Sequence, residues 1–169
     1  MSELEKNAKK RHWDLLWNTR LGVRYHMHLQ NFYSRVGKGI TVLSLVASSA
    51  AFATIWSQNS SAAKVLACIV ALAQILDLVI DTKGKALLHS SLRQKYLNLE
   101  LELSDVSQIA TEEAKSFEQK RISIEVEEPP VFDSLIDKCH NELVKVYGLD
   151  DDQKEPMGKW GSFKAWWFS

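Results

Sequence analysis

The chain has 169 residues, with 21 Lys and Arg against 21 Asp and Glu, two cysteines and 46% hydrophobic residues. These proportions suit one folded domain and exclude a disordered polymer, and the neutral net charge removes the basic footprint of a nucleic-acid binder. The mean hydropathy of −0.19 conceals an uneven layout. Residues 1–38 hold eight basic and three acidic side chains, residues 39–82 hold only Lys64, Asp77 and Asp81, and residues 83–169 hold twelve basic and sixteen acidic ones. A basic arm, a nearly charge-free middle and an acidic tail point to a small membrane protein.

In the arm, Trp13, Leu16, Trp17, Leu21, Tyr25, Leu29, Phe32, Tyr33 and Val36 recur at steps of three and four, which predicts one long amphipathic helix. Its polar side carries Lys9, Lys10, Arg20 and Arg35. Such a helix either lies along an anionic headgroup layer or packs its aromatic side on another cytoplasmic helix, and packing is the preferred reading.

The middle reads as two spans. Gly39–Trp56 is eighteen residues without a charge, which as a helix reaches roughly 27 Å, close to a hydrocarbon core. Its many Ala, Ser and Thr weaken insertion but let neighbouring helices approach closely. SQNSSAA (57–63) is a polar linker, and Val65–Ile80 is a second apolar run interrupted by Gln74 and Asp77. Two apolar helices also suit the centre of a soluble bundle, but the flanks argue against it. Arg35 and Lys38 precede the first run, Lys83 and Lys85 follow the second, and the connection carries no charge. By the positive-inside rule both termini are expected in the cytoplasm. No cleavable leader is expected before the first span. Cys68 falls in a span and Cys139 in the cytoplasmic part, so no disulfide framework is expected.

Beyond the second span, Leu88, Leu92, Tyr96, Leu99, Leu103 and Val106 repeat the three-four spacing within a helix-forming segment, 86–103. The second span is expected to run straight into this helix, whose stripe finds its nearest partner in the aromatic stripe of the arm as an antiparallel pair. Thr111, Glu112 and Glu113 suit a further helix start. SIEVEEPP (123–130) reads as an extended connection, its prolines leading into a helix with Phe132, Leu135, Ile136, Cys139, Leu143, Val146 and Tyr147 on one side and Gly148 as its stop. DDDQKEP (150–156) reads as a solvated linker. The final KWGSFKAWWFS holds Trp160, Phe163, Trp166, Trp167 and Phe168 with two lysines as its only charges. It suits either an interfacial anchor, with Trp160, Trp166 and Trp167 at the headgroups, or a tail docked on the bundle or on a neighbouring subunit. The chain is thus expected to be an all-α membrane protein. A two-transmembrane helical hairpin (39–82) joins an amphipathic helix (1–38) to cytoplasmic helices (83–149) and a tail (150–169).

No catalytic pattern stands out, neither a phosphate loop nor cysteines at metal spacing nor a His-Glu helix motif, so neither an enzyme nor a cofactor is expected. His26 and His28 lie two apart and point to nearly opposite sides of a helix, so they read as structural or surface histidines; HSS (89–91) lacks the geometry of a nucleophile and its base. The informative polar residues are in the spans. Gln74, Asp77 and Asp81 share one face of the second helix, and Thr41, Ser44 and Ser48 one face of the first, at similar depth. A carboxylate deep in a bilayer costs roughly 2.5 kcal/mol or more. These six residues therefore either line a water-filled path, or Asp77 snorkels to the interface or bonds the hydroxyls of the first helix. Trp17, Tyr25, Phe32, Leu92 and Leu99 are the expected assembly residues.

RYHMHLQNFYSR (24–35) before the first span and KGKALLHSSLRQKYLNLE (83–100) after the second resemble the SLATT family over roughly residues 10–110. These are bacterial two-transmembrane effectors associated with SMODS nucleotidyltransferases and SLOG sensors. The resemblance implies a membrane effector of a bacterial conflict or anti-phage system, forming pores when a nucleotide-signalling or sensor partner triggers it through the cytoplasmic helices. A two-span protomer cannot enclose a channel, so a pore implies a homo-oligomer. The alternative is a non-conducting adaptor that holds a cytoplasmic partner at the bilayer.

Overall fold

The computed structural model describes residues 3–56, 60–106 and 109–169, and every regular element among them is helical. The elements are α1 (Glu3–Trp56), α2 (Ser60–Ile80), α3 (Thr82–Ser104), α4 (Thr111–Glu125), α5 (Asp133–Val146), a 3₁₀ turn (Asp151–Gln153) and α6 (Lys159–Trp167). The arm and the first apolar run are one helix of 54 residues. The linker expected at 57–63 is shorter, because α2 already begins at Ser60, where Ser and Ala carry little helix penalty; residues 57–59 lie outside the described residues. Two compact units emerge, Met1–Leu29 with Leu88–Ser169, and Gln30–Leu87.

In the first unit the expected antiparallel pair forms. Partners descend along α1 as they ascend along α3: His26 meets His89, Gly22 meets Tyr96, Arg20 pairs with Glu100 at 2.6 Å, and His12 Nε2 lies 2.9 Å from the Leu103 carbonyl. A Cβ on Gly22 would sit 2.7 Å from the Tyr96 ring, so the bare backbone is what admits that ring. Leu15, Leu16, Leu92, Tyr96, Leu99 and Leu103 form one core that also takes in Ile109 and, from α4, Ala114, Phe117 and Ile124. Tyr25, Leu92 and Leu99, expected to join separate copies, are buried inside this unit, so their apolar surface is already used within the chain. Trp17 is half-buried against Trp13, His140 and Tyr147 at ring separations of 5.1–5.9 Å.

The segment 123–130 is not extended throughout. α4 continues to Glu125, because Ile124 reaches the core, and the chain becomes irregular only near the prolines. α5 starts after an extended Phe132 and ends where Gly148 adopts φ 62°, a left-handed conformation that glycine takes without a Cβ penalty. The 150–156 stretch is solvated as expected, Lys154 alone being half-buried, and it is also tied to α5: His140 Nε2 contacts the Gln153 carbonyl, and the Asn141 amide bonds both the carbonyl and the N–H of Glu155. α6 then rests on α5 through buried Ala165, with Phe168 stacked on Phe132 at 4.7 Å.

In the second unit, α1 runs antiparallel to α2 and the start of α3, as the contacts Ser44–Gln74, Gly37–Thr82 and Tyr33–Lys85 show. α2 does not run straight into α3. Asp81 stands between them with φ 51°, a conformation costly for a residue with a Cβ but within reach of Asp, and its carboxylate accepts the Gly84 N–H at 3.0 Å. A side chain at Gly84 would collide with that carboxylate, only 2.0 Å from its Cβ position. Across this joint, Ser61–Ser104 contains a stretch long and apolar enough to cross a membrane, with mean hydropathy 2.2 and only 11% of its most apolar window buried.

Leu103 is fully buried at the centre of the first unit's core. Leu103→Ala is expected to destabilise that unit by about 2–5 kcal/mol, read as a lower denaturation midpoint by circular dichroism. Leu99→Asp is expected to unfold the unit rather than merely separate copies, because an aspartate there would be buried without a partner.

Candidate functional site

Two polar clusters stand out because each sits where apolar contact would otherwise be expected. The first lies within the Met1–Leu29 and Leu88–Ser169 unit. His26 on α1 is fully buried and its Nδ1 lies 2.9 Å from Nδ1 of His89 on α3, itself 2% exposed. On the far side of the ring, His26 Nε2 is 3.1 Å from Glu128 Oε1, and the Tyr96 hydroxyl donates to the same oxygen at 2.6 Å. Tyr96 lies two helical turns beyond His89 and stacks on His26 at 5.6 Å. Glu128 is held by the turn that ends α4, where its N–H bonds the Glu125 carbonyl, while the adjacent Lys95–Glu127 ion pair and the Phe132 N–H donated to the Tyr25 hydroxyl tether the proline segment. A groove of about 560 Å³, lined by Tyr25, Tyr96, Glu128 and Pro130 among others, opens this network to solvent.

The geometry dictates the protons. An ionised Glu128 only accepts, so His26 Nε2 carries hydrogen. The Nδ1–Nδ1 contact needs one donor and one acceptor, so the two facing nitrogens share a single hydrogen. Were both rings cationic, two N–H groups would point at each other and the contact would open. Burial alone would raise the Glu128 carboxyl, but the hydrogen bonds from His26 and Tyr96 outweigh it, holding the group below the usual carboxylate range. Burial and the bond to Glu128 push the Tyr96 phenol upward. His28 points elsewhere, to Glu142 at 3.0 Å, which also meets Arg24 and Lys138. Burial would raise Glu142, yet the hydrogen bonds and charges of His28 and Lys138 hold it low. Cys139 is buried and its thiol is pushed up to about 12, chiefly by desolvation. Among the described residues no set of three or more His, Cys, Asp or Glu converges as a metal site.

The second cluster lies in the Gln30–Leu87 unit. Ser44 is buried and its hydroxyl accepts the Gln74 amide at 2.7 Å, which joins two of the six polar residues singled out in the spans. Asp77 accepts the hydroxyl of buried Thr82. The other members do not share that face. The inner line of α1 is Gly37, Ser44 and Ala47, whereas Thr41 and Ser48 are exposed, Thr41 bonding back to the Gly37 carbonyl at 2.9 Å. Asp81 is exposed at the joint. Phe32 is half-buried beside Tyr33 at 5.3 Å. Trp160, Phe163, Trp166 and Trp167 on α6 are 50–68% exposed.

The histidine pair was hidden by the way apolar stripes are counted. The buried stripe of α3 extends back from Leu92 to His89, not to Leu88, which is 38% exposed; on α1 it passes through Thr19 and His26, both fully buried. Reading the three-four spacing through polar residues as well would have found both histidines.

Because the Glu128 carboxyl is depressed in the folded state, its contribution to stability is complete above the ordinary carboxylate range and is lost as pH falls through that range toward the lower folded value. Glu128→Gln is expected to cost on the order of 1–3 kcal/mol at neutral pH and to flatten this acid limb in a series of denaturation curves. An acid limb as steep as wild type would place the titration elsewhere.

No known protein family, curated protein or solved structure matches this chain.

Proposed function

We propose that the chain is a two-span membrane effector, with spans at 39–56 and 65–80, that assembles into a homo-oligomer and opens a cation path across a bacterial inner membrane. The observation that carries this reading is the inverted burial of the Gln30–Leu87 unit. Val42, Leu45, Val46, Phe52, Val65, Leu72, Leu76, Leu78 and Val79 are 57–81% exposed, while the buried positions include Gly37, Ser44, Ala47, Ala63 and Thr82. Water punishes that arrangement and lipid does not; in a bilayer small residues bring helices together and large apolar ones face the acyl chains. The shared core of Leu15 and Leu16 with Leu92 and Tyr96 supports both flanks lying on one side of the bilayer, and the flanking lysines and arginines support that side being cytoplasmic. Thr41, Ser48, Gln74 and Asp81 remain exposed on the apolar unit, which favours cover by a second copy or by water. The exposed tryptophans of α6, with Lys159 and Lys164, suit the headgroup layer. The resemblance to SLATT effectors supports a conflict role triggered by a nucleotidyltransferase or sensor partner.

One observation favours the adaptor reading instead: Gln74 and Asp77 are each satisfied within one protomer, by Ser44 and Thr82. Conductance separates the two. The purified chain reconstituted in planar bilayers is expected to pass cations, with Asp77→Asn lowering selectivity over anions and blunting toxicity on overexpression while insertion persists. A silent bilayer and unaffected growth would leave the adaptor, and full release by carbonate wash would defeat the membrane reading itself.

A further inference from the structure

We propose that the Gln30–Leu87 unit carries a binding site for the phosphate of an anionic phospholipid, in the groove where α1 meets the start of α3. The groove has a volume of about 510 Å³. Its floor is the contact of Gly37 with Thr82, so close that a Cβ on Gly37 would lie 2.6 Å from the Thr82 hydroxyl. Lys38 and Lys83 line it from opposite helices, joined by Ser34, and Val42 forms its apolar edge. Both lysines are exposed, and neither meets a carboxylate in an ion pair among the described residues. The acids nearest in sequence are engaged by other donors: Asp77 accepts the Thr82 hydroxyl and Asp81 the Gly84 N–H. Lys85 is drawn aside over the Tyr33 ring at 5.3 Å.

Two ammonium groups and a hydroxyl facing one concavity suit a phosphodiester, which offers acceptors and a negative charge to all three. The source of that phosphate is set by the other edge. Beyond Val42 the surface continues into exposed Leu45 and Val46, where acyl chains can follow a bound headgroup but a free phosphate gains nothing. Basic pockets between helices at the cytoplasmic boundary of a membrane are recognised lipid sites. The inference rests on the membrane reading above and names a ligand for that surface.

The test uses the full chain purified in detergent and native mass spectrometry with phosphatidylglycerol or phosphatidylcholine added in turn. Wild type is expected to retain phosphatidylglycerol preferentially, with Lys38→Gln and Lys83→Gln each reducing the preference roughly fivefold. The Lys38→Arg/Lys83→Arg double variant is expected to keep it, and Lys64→Gln, a charge change at the start of α2, is expected to leave it unaltered. Equal retention of the two lipids by wild type, or undiminished preference in either Gln variant, overturns the site. Displacement of the lipid by millimolar inorganic phosphate overturns the lipid as its source. A chain released from membranes by carbonate defeats the membrane reading as well, whereas one that stays and binds both lipids alike defeats only this proposal.

Discussion

Two helices in contact can each bury only one stripe, so a helix that is apolar all round must find its remaining contacts outside the pair. That constraint shapes the Gln30–Leu87 unit. Its large side chains have nowhere inward to go, and the space between the helices is left to Gly37, Ser44, Ala47, Ala63 and Thr82, residues small enough to let the backbones close. In water such a packing would forgo the burial that normally drives folding, at about 25 cal/mol for every Å² of apolar surface left wet. Its persistence here is intelligible if the solvent is hydrocarbon. Hydrogen bonds such as Gln74 to Ser44 then matter more than their number suggests, since neither partner would find water as a substitute.

The other unit obeys the opposite rule. Leu92, Leu99, Leu103, Ile109, Leu135 and Leu143 are almost fully buried, and charged side chains lie outside in pairs such as Arg20–Glu100 and Arg121–Glu118. Within this ordinary core the His26–His89–Glu128–Tyr96 network is the costly exception. Each buried polar atom must be matched, and the chain matches them by converging α1, α3 and the turn after α4 on one point. Such a network specifies how those three segments sit more sharply than leucine contacts alone, because a small shift breaks several bonds at once.

Much of the helical layout was legible from spacing. The stripe of Leu92, Tyr96, Leu99 and Leu103 and that of Leu16, Tyr25 and Leu29 announced a pair of helices with apolar faces, and Gly148 announced the end of α5. Residue type, period and stop signals are local properties, and local properties can be read one window at a time. The same windows misjudged 123–125, where the helix is maintained by a distant partner, Ile124 in the core, and they gave no sign that Asn141 holds the Glu155 backbone within the exposed 150–156 stretch. They also assigned Thr41 and Ser48 to one face with Ser44, although the inner face of α1 is decided by which residues α2 approaches.

Taken by itself, the sequence determined where charge is absent, where the apolar stripes of α1, α3 and α5 recur, and that two long apolar runs sit between basic flanks. These follow from side-chain chemistry and backbone propensity, which need no partner. Only the tertiary structure decided that Tyr25, Leu92 and Leu99 are consumed inside the chain, that Asp81 breaks α2 from α3, and that His26 meets His89 across 63 positions of sequence. Each of these depends on the approach of segments far apart in the chain. Burial and proton sharing are properties of that approach, and no single residue carries them alone.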